Sequence, residues 1–93
     1  MKIHHTAIAG TMESSDIMIT LEPGTQGIKI DLTSTVEKEF GDAIREEITS
    51  TLNAMGIVTA NVRAVDKGAL DCTIRARVKT AVSRANHTGG DTK

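Results

Sequence analysis

The chain has 93 residues, 25% of them charged with a formal net charge of -1, and is 39% hydrophobic with one aromatic residue, Phe40. That is enough for one modest core and too little for two, and the near-neutral balance without a dense Lys/Arg run leaves no platform for neutralising phosphates or stacking bases, which excludes nucleic acid as a partner class. No apolar run approaches the roughly 20 residues that span a bilayer, and Met1-Lys2-Ile3-His4-His5 lacks the apolar region of a signal peptide, so a cytoplasmic protein with no membrane partner is expected.

From Thr6 to Met12, Ala7, Ala9 and Thr11 alternate with Ile8, Gly10 and Met12, the pattern of a strand with one small-residue side. Gly10 inside it marks either a bulge or a close approach to the backbone. A polar knuckle follows, and Ile17, Ile19 and Leu21 then alternate with Met18, Thr20 and Glu22, which predicts a hairpin with Ser14 and Ser15 at its tip. Pro23-Gly24 breaks the strand, because proline fixes φ and glycine accepts the backbone of a turn. Ile28-Lys29-Ile30-Asp31-Leu32-Thr33 alternates strictly and reads as the next strand.

Ser34-Thr35-Val36-Glu37 has the spacing of a capping box and predicts a helix start. Val36, Phe40, Ile44, Ile48, Leu52 and Met55 then recur at helical spacing, Ala43 widens the stripe, and Gly56 is placed to stop it. The acidic first half of this helix suits a solvated face or a partner-docking surface. Ile57 to Val65 reads as a strand with Val58, Ala60, Val62 and Ala64 inward, and strand-helix-strand order predicts a right-handed crossover with those strands parallel. After an Asp66-Lys67-Gly68 turn, Leu70, Cys72, Ile74, Ala76 and Val78 alternate like a strand, yet Leu70, Ile74, Val78, Ala81, Val82 and Ala85 form a helical stripe. The helix is preferred, because the stripe runs for about four turns and the alternation fails beyond Val78. Arg75, Arg77, Lys79 and Arg84 would decorate it as a basic surface.

The expected architecture is α+β: a small mixed sheet of about four strands, with N-terminal hairpins and then strand-helix-strand-helix, and both helices packed on one face. Residues 1–86 form a single domain in this reading, and residues 87–93, with no apolar anchor, a disordered tail.

Few residues invite chemistry. His4 and His5 are adjacent, so an extended backbone sends their rings to opposite sides, and His87 lies in the tail, so no metal site is expected. Cys72 has no disulfide partner, in keeping with a reducing compartment, and beside Asp71 it reads as a structural thiol. Ser14 has no histidine near it in sequence to act as a base, so it reads as a hydroxyl that another enzyme modifies. Ser15 is its chemical equal, and Glu13 and Asp16 read as turn and recognition residues.

The segment Ala9-Gly10-Thr11-Met12-Glu13-Ser14-Ser15-Asp16, followed by an apolar strand, resembles the attachment-site segment of the citrate lyase acyl carrier family, the gamma subunit of bacterial citrate lyase. Ser34-Thr35-Val36-Glu37-Lys38-Glu39-Phe40-Gly41-Asp42-Ala43-Ile44-Arg45 and Asp66-Lys67-Gly68-Ala69-Leu70-Asp71-Cys72 extend the resemblance over nearly the whole chain. The family's attachment serine is the first in Glu-Ser-(Ser or Gly)-Asp, which here is Ser14. The resemblance implies a non-catalytic carrier in which Ser14 is linked through a phosphodiester to phosphoribosyl dephospho-coenzyme A, with Gly10, Glu13 and Asp16 flanking it. It implies a transferase that installs this group, and alpha and beta subunits that exchange acetyl for citryl on its thiol and cleave the citryl thioester to oxaloacetate. The malonate decarboxylase acyl carrier is the near alternative, and an α+β binding or oligomerisation module without a covalent group the distant one.

Overall fold

The computed structural model describes residues 2–86, so the expectation for a tail over 87–93 lies outside the described residues. In chain order the elements are β1 (Ala7–Ala9), β2 (Ile17–Glu22), β3 (Ile28–Ser34), α1 (Glu37–Ala54), β4 (Ala60–Asp66) and α2 (Asp71–Ala85). They form an α+β fold whose sheet runs β1-β2-β4-β3, with β3 and β4 parallel and the other pairs antiparallel. The expected alternation therefore produces all four strands, and the ambiguous last segment is a helix. One detail of the expected order differs: only β1 and β2 make a hairpin, because the α1 crossover lays β4 between β2 and β3. The inner position suits β4, which buries Ala60, Val62 and Ala64, whereas β3 alternates half-buried Ile28 and Ile30 with exposed Lys29 and Asp31, charges that guard an open edge.

The core lies between the sheet and the two helices. Ile17, Ile19 and Leu21 of β2 are fully buried, as are Ile48 and Leu52 of α1 and Val78 of α2. Alanines at positions 7, 9, 81 and 85 are buried where β1 meets α2, and their small side chains let strand and helix approach closely without large aromatics. The chain before β1 is fastened here as well, with the His5 N–H donating to the Ala85 carbonyl at 3.1 Å.

Both ends of α1 are informative. At its C-terminus the Ile57 N–H reaches the Leu52 carbonyl and the Gly56 N–H the Asn53 carbonyl, with Gly56 at φ 80°, a Schellman stop in which buried Ile57 follows the turn over Leu52. At its N-terminus the capping box does not form. Val36 occupies the cap position without a side-chain bond, and the Ser34 hydroxyl accepts from the Val36 N–H at 3.0 Å while donating to Asp66 at 2.8 Å. Glu37 turns instead to Arg45, at 3.1 Å. The apolar stripe of α1 is also narrower than its spacing suggests, since Phe40 is 57% exposed and Ala43 lies on the surface. Val58 is 68% exposed because β4 starts only at Ala60 and the preceding link has no strand pleat to turn it inward.

Replacing Ile48 by Ala is expected to lower stability by about 3 kcal/mol in urea unfolding, against about 0.5 kcal/mol or less for Val58→Ala, because only the first leaves a cavity.

Candidate functional site

The hairpin loop joins β1 to β2 at the end of the sheet where β4 leaves for α2. Its tip is a four-residue turn from Glu13 to Asp16, closed by the Asp16 N–H donating to the Glu13 carbonyl at 3.2 Å. Ser14 and Ser15 occupy its two central positions, and Ser15 has φ 66°, the left-handed value a type II turn requires of its third residue. Glycine adopts that conformation without strain, which gives a physical reason for a Ser-or-Gly choice at this position. Both serines are exposed, and among the described residues neither hydroxyl makes a hydrogen bond.

The turn is exposed but not loose. The Ser15 N–H donates to the Lys67 carbonyl and the Lys67 N–H to the Asp16 carbonyl, each at 2.8 Å, so the tip is stitched to the connection between β4 and α2. Asp16 itself is buried. Its carboxylate takes both arms of the Arg77 guanidinium, at 3.0 and 2.7 Å, the Thr11 hydroxyl at 2.6 Å and the Ile17 N–H at 2.7 Å. The Glu13 N–H in turn donates to the Thr11 hydroxyl at 3.1 Å. The Arg77 hydrogen bonds, helped by Thr11 and Ile17 and opposed by burial, hold the Asp16 carboxyl well below the usual carboxylate range. The same contact raises the pKa of Arg77 further.

The neighbouring residues follow from this arrangement. Gly10 does approach backbone closely, but the backbone is the chain's own: at φ 102° a Cβ placed on it would lie 1.8 Å from the Ile17 carbonyl oxygen. Asp16 is a structural anchor, buried and fully engaged, whereas Glu13 stays on the surface beside the serines. Sequence reasoning placed Ser14, Ser15, Glu13, Asp16 and Gly10 together, as the structure does, and missed Thr11 and Arg77. Arg77 had read as part of a basic surface, yet three of those four cations have internal partners: Arg75 binds Glu47, Arg77 binds Asp16, and Arg84 donates to the Ile8 carbonyl. No local pattern marks Arg77, because its partner Asp16 lies 61 residues away in sequence.

Asp66 is a second buried knot, 1% exposed, accepting from the Ser34 hydroxyl and from the Gly68 and Ala69 N–H groups at 2.8, 3.1 and 3.0 Å. It shapes the Lys67–Gly68 connection on which the serine turn rests. Elsewhere, His4 and His5 are exposed with ring centroids 6.4 Å apart, and among the described residues no cluster of three or more His, Cys, Asp or Glu gathers as metal ligands. Cys72 is a free, exposed thiol at the start of α2. No helix of the described residues is long and apolar enough to cross a membrane.

The site is thus a pair of exposed serines on a turn pinned by Asp16, Arg77 and Lys67. The family model described as the malonate decarboxylase delta subunit, an acyl carrier, matches residues 4–85. Proteins named citrate lyase acyl carrier protein are similar over most of their length: that of Oenococcus oeni is 64% identical over 91% of this chain and 88% of its own, and that of Halothermothrix orenii 54% identical over 92% of each. The Streptococcus uberis protein of the same name is 60% identical over 91% of this chain and 84% of its own. The chain belongs to the citrate lyase acyl carrier protein family. In fold it is similar to a chain in the crystal structure of a Pseudomonas malonate decarboxylase hetero-tetramer in complex with malonate, with TM-score 0.78 over 91% of this chain and 88% of that one at 19% identity.

The depressed Asp16 pKa means that the unfolded chain binds a proton where the folded chain does not. Its stabilisation is therefore complete above the unfolded aspartate pKa of about 4 and is lost as pH falls towards the folded value. Urea midpoints measured from pH 7 to pH 3 should show Asp16→Asn less stable than the native chain at neutral pH, with the gap narrowing as the medium is acidified.

Proposed function

We propose that this protein is the acyl carrier subunit of citrate lyase, a non-catalytic partner that bears phosphoribosyl dephospho-coenzyme A on Ser14 through a phosphodiester. The observation that carries this reading is the exposed Ser14 hydroxyl, free of hydrogen bonds on a turn that Asp16, Arg77 and Lys67 hold in shape. The group fits the site in its chemistry. Ser14 is exposed and offers an accessible oxygen for a phosphodiester, and the nearby Asp16 carboxylate is buried and already paired with Arg77, so the anion would stand in water rather than against it. When bound, the group supplies a terminal thiol that carries acyl units as thioesters.

What the chain contributes is placement. Its turn keeps one conformation while the attached arm is free to move, so the thiol stays within reach of two different active sites at high effective concentration. Those sites belong, in this reading, to the citrate lyase alpha and beta subunits, and a separate transferase installs the group. The protein would act in the cytoplasm, with no nucleic acid, membrane or metal as partner. Ser14 is preferred to Ser15 on the family register, and Ser15 is the more constrained of the two, with its N–H bonded to Lys67 and its φ left-handed. The names of the most similar relatives favour citrate lyase over malonate decarboxylase.

Co-expression with the modifying enzymes, followed by intact mass and peptide mapping across Met12 to Met18, tests the reading. The native chain is expected to gain the mass of the group on Ser14 and to restore citrate cleavage to alpha and beta subunits that lack their carrier. Ser14→Ala should keep its urea stability within about 0.5 kcal/mol, as an exposed turn residue does, and should lose all loading. Equal loading of the Ala variant would refute Ser14, and restoration of malonate decarboxylation instead would move the chain to the other complex.

A further inference from the structure

Beside the serine turn lies an open groove of about 550 Å³ between the N-terminal ends of α1 and α2. The two are linked through the backbone. The Lys67 carbonyl that receives the Ser15 N–H precedes Gly68, and Gly68, Ala69 and Leu70 form one wall. Phe40 stands on the other, and Phe40 and Leu70 are 57% and 70% exposed, large apolar side chains that the fold itself leaves uncovered. Asp71 and Cys72 complete the wall where α2 begins, and Leu70 precedes that helix without a side-chain cap, so its first-turn N–H groups await an acceptor from outside the helix.

Size and charge indicate what fits. A cleft of this volume suits a small molecule, whereas a stable protein partner covers roughly 800 Å² of each surface. The carboxylates of Asp66 and Asp71 border the groove and disfavour phosphate, so an anionic ligand is a poor occupant. A neutral chain with amide carbonyls and an apolar body matches it: the carbonyls meet helix-end donors and the methylenes meet Phe40 and Leu70.

We propose that this groove is the resting seat of the distal, thiol-bearing amide end of the group carried on Ser14. The inference rests on the reading of Ser14 as the attachment site. The phosphates stay outside in water and the neutral end folds back past Gly68, so that the uncharged acetyl thioester is sheltered on the carrier until a partner draws the arm out. Phe40 and Leu70 then act as removable walls rather than as core.

Cys72 is the only cysteine of the chain and borders the groove, which makes it a built-in reporter. Chains with and without the group, separated by mass, would be treated with iodoacetamide under reducing conditions. Modification would be read on the Cys72 peptide, so that reaction of the arm thiol is counted apart. With an effective concentration of roughly 1 mM for the tethered arm and an intrinsic Kd of about 0.2 mM, the groove is open about one sixth of the time, and Cys72 alkylation slows about sixfold in the modified chain. Leu70→Ser, at an exposed position, should restore the rate of the unmodified chain. A chain confirmed as modified on Ser14 whose Cys72 reacts as fast as before overturns the seat alone. Protection that grows with protein concentration also overturns it, because it marks a second copy as the occupant. A chain that takes up no group under loading conditions overturns the carrier reading and the seat with it.

Discussion

The buried Asp16 carboxylate, gripped by both arms of Arg77, is the contact on which the serine turn depends. It ties the first residue before β2 to the middle of α2, elements 61 residues apart in sequence. Paired, charge-assisted hydrogen bonds fix direction as well as distance, so the guanidinium determines where the end of the hairpin points. Thr11 and the Ile17 N–H complete the carboxylate's coordination, and Gly10 lets the incoming strand pass the Ile17 carbonyl at a separation no side chain tolerates. With the turn base held in this way, the Ser15 and Lys67 backbone groups pair across to the β4–α2 connection, and the serine hydroxyls stay exposed.

That division of labour suits a carrier. A loop that must be recognised by a modifying enzyme and then presented to other active sites gains from having one shape, because ordering it at each encounter would cost conformational entropy. The mobility needed to visit different sites resides in the attached arm. The uncovered apolar pair Phe40 and Leu70 lies on the same end of the molecule as the turn. At the opposite end Ile57 closes over Leu52, and the next residue, Val58, is left exposed.

Much of the scaffold was legible because burial has a period. Strict alternation marked β2 and β3, and the stripe from Ile74 to Ala85 outlasted any strand, which made α2 a helix despite its alternating start. What escaped was set by contacts distant in sequence. Nothing local says that Arg77 is a partner of Asp16 rather than a surface charge, or that the Ser34 hydroxyl bonds to Asp66 in place of capping α1. The spacing rules also assume that an apolar residue in phase is covered, and Phe40, Leu70 and Val58 are in phase with their stripes yet lie beyond the edge of what packs against them. The serine turn was legible as a turn from its composition and its flanking strands, whereas its rigidity came from Thr11, Arg77 and Lys67, which no pattern connected to it.

The central claim, that Ser14 is presented by a turn already held in one conformation, is tested most directly by amide hydrogen exchange on the unmodified chain. The Ser15 and Lys67 N–H groups are the two that stitch the tip to the β4–α2 connection. The account predicts that both exchange slowly, with protection approaching that of the β2 amides. Exchange of both at the rate of an unstructured peptide, while the β2 amides remain protected, would contradict it and would mean that the turn takes its shape only when an enzyme binds it.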